Sequence, residues 1–300
     1  MSFLTEIAVA ARELWTWVRA HAWVLFLCTV AAYAHQHYSE HGPPAHLLIL
    51  PGLAVSMFFA FPLWAAIVHD VSATTDPPLP TRRHDPLALG LASLGAAVAL
   101  APALVWGYAP AATKTALKDD PRMLVVGAGL GAALVLAAAL RGKVDLGRWG
   151  LGFGDVRWWS RPVGFLLVLV FVGIPLVAWM FPEFVAFYPR YKPARTALLP
   201  LIEYELAMGV YMFCWEFLFR GYMLFGLARV VGPFAAIVIQ CWPFFLLHAD
   251  KPEPELASSW FGGLLVGWLC WRARSMWPSF LLHWVMYATM EVTAFALRNL

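Results

Sequence analysis

Four side chains in the last third of this 300-residue sequence could carry acid–base chemistry. Glu216 and Arg220 lie four apart in the apolar run 201–230. His248 closes the run Trp242-Pro243-Phe244-Phe245-Leu246-Leu247, and His283 sits between Leu282 and Trp284 in a last apolar run. An ionisable group at the centre of a membrane span costs about 2.5–3.5 kcal/mol by insertion scales, so such groups usually mark function. At a spacing of four, Glu216 and Arg220 share a helix face and can pair. Each member has a plain structural reading as well: a stapling ion pair for Glu216 and Arg220, an interface residue for His248, and an interhelical hydrogen bond for His283.

Together they suggest more. A carboxylate with an imidazole is the set that activates water: one group takes a proton, the other orients the water or donates to the leaving amine. A second imidazole can donate to an oxyanion. The same Glu216, His248 and His283 could instead bind a divalent metal such as zinc, for which Glu and His are good ligands. Intramembrane Glu, Arg and His also line solute and proton pathways, so a small-solute or proton transporter is a rival reading. No inverted repeat in hydropathy supports that rival.

The elements that must position these groups are membrane helices. The chain is 61% hydrophobic and 13% charged, with a mean hydropathy of +0.68. A soluble domain carries about 25% charged residues. At about 20 apolar residues per span, candidates fall at 15–33, 46–68, 87–108, 123–140, 163–181, 201–230, 233–248, 256–271 and 276–297. The expected fold is all-α, a polytopic transmembrane bundle of about eight or nine spans. It forms one membrane domain, with N-terminal helices over 1–199 and a catalytic core over 200–300. The most polar stretch, 141–162, carries Trp149, Trp158 and Trp159, which suit headgroup level. The balance of Lys and Arg between loops favours the N-terminus inside and the C-terminus outside. No leader is read at the N-terminus, where Glu6 and Glu13 replace a basic head. The net charge of +3 contains no basic run for nucleic acid. Cys28, Cys214, Cys241 and Cys270 lie in apolar stretches and read as small core residues. Gly263 and Gly267 form a small-xxx-small pair, as do Gly127 and Gly131, suited to close helix approach.

Three motifs resemble those of the CPBP family of intramembrane proteases, which includes the CAAX prenyl endopeptidases. They are Glu216-Phe217-Leu218-Phe219-Arg220-Gly221, then Phe244-Phe245-Leu246-Leu247-His248, then His283 in the last helix. The likeness covers about 201–293. The family's first motif has two adjacent glutamates, and Trp215 stands where the first belongs. Tyr287 stands where an Asn often follows the last His. The segment His248-Ala249-Asp250-Lys251-Pro252-Glu253-Pro254-Glu255 is similar to a bacterial branch with a single glutamate in motif one. There Glu255 would supply a second carboxylate beside His248; its plain reading is a helix-capping acid.

The resemblance implies an intramembrane endopeptidase in a bacterial inner membrane. It would cleave a membrane protein or peptide near an embedded or lipidated tail. Glu216 would be the base, Arg220 its positioner, His248 a water or metal ligand and His283 the oxyanion donor. The Trp215 departure keeps open a non-catalytic relative acting as a membrane binding or scaffold protein.

Overall fold

The computed structural model describes residues 3–41, 121–141, 146–248 and 251–300. All regular structure among the described residues is helical, as the composition demands. In chain order the helices are α1 (Phe3–Ala20), α2 (Ala22–His41), α3 (Pro121–Arg141), α4 (Val156–Met180), α5 (Pro182–Phe187), α6 (Leu198–Glu216), α7 (Leu224–Val231), α8 (Pro233–Leu246), α9 (Glu253–Ala273) and α10 (Trp277–Asn299). A π-helical segment, Phe217–Met223, joins α6 to α7 without a break. The expected spans at 46–68 and 87–108 lie outside the described residues.

Among the described residues, three stretches are long and apolar enough to cross a membrane: Val156–Met180, Leu198–Ala228 and Trp277–Asn299. They match the expected fifth, sixth and ninth spans. α3 covers the fourth. The first expected span, 15–33, is not one straight helix. It is divided between α1 and α2, which meet at 79° at His21. The seventh, α8, has only 14 residues. At 1.5 Å per residue it is about 21 Å long, short of a hydrocarbon core of about 30 Å.

Breaks between helices follow from single residues. Gly232 ends α7 at φ 82°, a conformation natural to glycine, and Pro233 opens α8 at its first turn. Arg274 takes the left-handed conformation, φ 57°, to end α9. At the lower end of the bundle the Met276 N–H donates to Gly150 O at 2.8 Å, and the Asp155 N–H to Ala273 O at 3.0 Å. Gly154 sits so close there that a Cβ would lie 1.9 Å from Ala273 O. At the upper end Arg195 holds Pro189 O at 2.7 Å and Phe187 O at 3.1 Å, while Asn299 holds Arg195 O at 3.0 Å.

The close approach expected of Gly263 and Gly267 is made against α8. A Cβ at Gly263 would stand 2.7 Å from Cys241 Sγ, and one at Gly267 2.7 Å from Gln240 Nε2. α10 lies against α4 and α6, and α3 packs on α6. Leu169, Phe171, Val172 and Trp179 of α4 and Leu199, Leu206 and Val210 of α6 are exposed. Such an apolar exterior over buried Glu and Arg is the pattern of a protein whose solvent is lipid. The four cysteines are free, three of them buried.

Candidate active site

The π-helical segment carries the first motif. Residues 214–222 are buried without exception, so the chain here is enclosed on every side rather than on one face. A π turn inserts one extra residue, which offsets the register between α6 and α7 by about 100°. Gly221 is needed in this segment, since a Cβ would lie 2.8 Å from the Trp149 carbonyl oxygen.

Glu216 ends α6 with no exposed surface. Its Oε1 accepts from Arg220 Nη1 at 3.1 Å and from His283 Nδ1 at 2.6 Å. Its Oε2 accepts from the Ser279 hydroxyl. Ser279 and His283 are one turn apart on α10, so one helix face presents both donors. Arg220 is equally buried, and its guanidinium lies 3.9 Å from the Phe244 ring centroid, a cation–π contact. Among the described residues its Nε and Nη2 have no hydrogen-bond partner.

Phe244 connects the motifs. Its ring is 5.6 Å from that of His283 and 4.6 Å from that of His248, and its carbonyl receives His248 Nδ1–H at 2.7 Å. The two imidazoles lie 6.4 Å apart, inclined by 29°. His248 follows the end of α8, and its contacts with Phe244 and His283 place it beside Glu216. Glu216, Arg220, His248 and His283, read from three separate motifs in the sequence, thus meet in one cluster.

Glu255 occupies a second cluster beside the first. In the first turn of α9 it accepts from Lys251 Nζ at 3.1 Å and from the Tyr188 hydroxyl. Lys251 also donates to the Tyr188 hydroxyl at 3.1 Å. Burial works to raise Glu255, but Lys251, His248 and the Tyr188 bond outweigh it and hold it below the usual carboxylate range. For His248, in the turn after α8, burial dominates. Lys251 and His283 act with it, Glu255 and the Phe244 carbonyl against it, and the imidazole is pushed down to about 4. His248 is therefore neutral at pH 7.

Two positions differ from the motif pattern. Trp215 is buried in an aromatic stack, 5.5 Å from Tyr211 and 4.7 Å from Phe219. No carboxylate reaches the site from there. Tyr287 bonds Tyr204 through their hydroxyls at 2.7 Å. Above it Glu291, also fully buried, takes the Arg190 N–H at 3.2 Å on each oxygen.

The expected metal triad of Glu216, His248 and His283 does not match this donor set. Among the described residues no three His, Cys, Asp or Glu side chains form a metal-holding group. Both Glu216 oxygens already accept hydrogen bonds, one of them from a guanidinium. Both Nδ1 atoms face oxygens of the protein, which leaves only the two Nε2 atoms as donors. A cation at Glu216 would have to displace Arg220 at 3.1 Å, and zinc needs four ligands around it.

Ser279 and Tyr188 were not singled out in the sequence. For Ser279 a signal existed: a hydroxyl four residues before His283 lies on its helix face. Tyr188 comes from a connecting segment, and nothing in its neighbours distinguishes it.

The class is now defined: an all-helical membrane protein with a buried Glu–Arg–His cluster between its last helices. Over residues 197–289 the chain matches the family model described as Type II CAAX prenyl endopeptidase Rce1-like, in agreement with the CPBP resemblance of the motifs. That stretch contains all three motifs and supports an intramembrane protease in general. No curated protein and no solved structure matched the chain.

Proposed function

We propose that residues 200–300 form the catalytic core of an endopeptidase that cuts a peptide bond near a membrane-embedded or lipidated protein tail. The observation that carries this reading is the bond from His283 Nδ1 to Glu216 at 2.6 Å. A carboxylate only accepts, so Nδ1 carries the hydrogen and Nε2 keeps its lone pair. His248 is set the same way, because the Phe244 carbonyl also only accepts. Two rings with centroids 6.4 Å apart, each offering an Nε2 lone pair, can hold one water by both its hydrogens and leave its oxygen lone pairs for attack.

The chemistry then balances simply. Water oxygen bonds to the scissile carbonyl carbon as its proton passes to His283 Nε2. Glu216 stabilises the imidazolium that forms, the role a carboxylate has in carboxylate–histidine catalysis. The C–N bond breaks as the same proton moves to the leaving nitrogen. Arg220 and Ser279 keep the Glu216 carboxylate in one orientation. Glu255, braced by Lys251 and Tyr188, places negative charge near His248. This division of labour differs from the one the motifs imply, in which Glu216 takes the proton directly and His283 serves the oxyanion. It also works with one glutamate, so Trp215 need not abolish activity.

The motifs favour a CAAX-like substrate, a peptide ending in a prenylated cysteine segment. The test is cleavage by the protein in vesicles of a prenylated peptide and of its unprenylated twin. Cleavage of the prenylated form that is lost in His283→Ala supports the reading. Tight binding of the peptide with no cleavage by the wild type would favour the scaffold alternative.

A further inference from the structure

At its N-terminus the chain carries a helix that the site does not use. α2 runs antiparallel along α9: Trp260 Nε1 donates to Thr29 at 2.9 Å, and the Tyr33 hydroxyl to Ala257 O. α1 meets α2 at 79° and so lies across the lower end of the bundle rather than through it. Its inner face is fastened to three helices in turn. Glu6 pairs with Arg161 of α4, and Glu13 with Arg272 of α9 at 2.8 and 3.2 Å. Trp17 packs on Phe234 of α8, 5.5 Å between rings.

The outward surface of α1 is divided lengthwise. Leu4, Ala8, Ala11 and Trp15 recur at helical spacing and are exposed, Leu4 by 75% and Trp15 by 61%. Arg12, Thr16 and Arg19 are exposed on the adjoining stripe, about 80° round the helix. A helix covered by water on its outer side has no reason to keep Leu and Trp in line there. An apolar stripe beside a basic one is what a helix at a lipid–water boundary presents. The same end of the bundle carries Trp158 and Trp271 under Arg272 and Arg274, at 4.8 and 4.4 Å, the aromatic level expected of headgroups.

We propose that α1 is an interfacial helix that binds anionic phospholipid. Leu4, Ala8, Ala11 and Trp15 lie at the acyl boundary, and Arg12 and Arg19 contact headgroup phosphates. The proposal stands apart from the protease reading and needs no catalysis. Because Glu13 binds Arg272 at the end of α9, α1 also ties the lipid surface to the helix whose first turn carries Glu255.

The experiment uses the full chain in vesicles of phosphatidylcholine with and without phosphatidylglycerol. The first readout is the phosphatidylglycerol retained on detergent extraction. A basic residue at an anionic surface is worth about fivefold in binding, so R12Q/R19Q should retain roughly 25-fold less. The second readout is a nitroxide at Ala11→Cys or Thr16→Cys in a Cys28→Ser background. The label at 11 should relax with a lipid-soluble agent and the label at 16 with an aqueous one. Trp15→Gln, which changes no charge, should raise the aqueous accessibility at 11. Equal retention of the two lipids, or the same accessibility at 11 and 16, would overturn the proposal. A label at 11 shielded from both agents would also overturn it and would point to a protein partner on this face.

Discussion

Replacing Glu216 by Gln removes one charge from a fully buried cluster and leaves its shape almost unchanged. Gln can still accept the Nδ1 hydrogen of His283, now at 2.6 Å from Oε1, so the ring keeps its tautomer. Two things are lost. The imidazolium formed during water attack no longer has its counter-charge, which should slow cleavage on the order of 10²–10⁴-fold. At 1.36 kcal/mol per decade this is about 3–5 kcal/mol of transition-state stabilisation. Arg220, also fully buried, loses the partner at 3.1 Å. Breaking one side of a buried pair costs about 3–5 kcal/mol of stability. The second loss can be separated from the first. In Glu216→Gln/Arg220→Met the stranded guanidinium is gone, so most of the stability should return while cleavage stays lost. The assay is peptide cleavage in vesicles, with stability read from denaturation in detergent. A folded Glu216→Gln protein cleaving within tenfold of wild type would refute the dyad argument. So would an Arg220→Met substitution that restored cleavage in the Glu216→Gln background.

Four further outcomes are expected. His283→Ala should lose at least 100-fold in cleavage with its gel-filtration profile unchanged. Because burial holds His248 at about 4, its charged form appears only below that pH. The pH–rate profile should carry no His248 limb between pH 7 and 5, with loss near 4 as His248 gains a proton; a His248 limb near pH 6.5, removed by His248→Gln, would contradict this. Gly221→Ala should destabilise the protein by about 1–3 kcal/mol, since its Cβ meets the Trp149 backbone oxygen at 2.8 Å; an unchanged melting midpoint would disprove the close packing. Trp215→Glu, which restores the missing first glutamate of the motif, should lower folded yield and not raise activity. It puts a carboxylate between Tyr211 and Phe219, where burial of an unpaired charge is costly.

The site was legible in the sequence to the extent that lipid makes polarity conspicuous. Glu216, Arg220 and His283 stand out because few ionisable groups survive inside apolar runs, and the structure brings them together with His248. His248 is harder to read, since counting depth along α8 puts it at a span edge. The answer is that α8 is a turn or two too short to cross, a length no apolar count over 233–248 conveys. The π segment is hidden because Phe217–Met223 has the composition of an ordinary helix; what sets it apart is the backbone hydrogen-bond pattern, i→i+5. The metal reading rested on residue types alone, which do not say which atoms are already committed; here both Glu216 oxygens accept hydrogen bonds. For α1 the apolar count over 15–33 ran through His21, where the chain turns by 79°. A window average cannot register a bend.

Comparing protein termini in membranes from cells carrying wild type, Glu216→Gln or no copy tests the central claim most directly. The account predicts new termini beside membrane-embedded or lipidated tails in wild type, absent equally from the other two. Termini that persist with Glu216→Gln and vanish only without the protein would contradict the role given to Glu216, and termini identical in all three would contradict proteolysis itself.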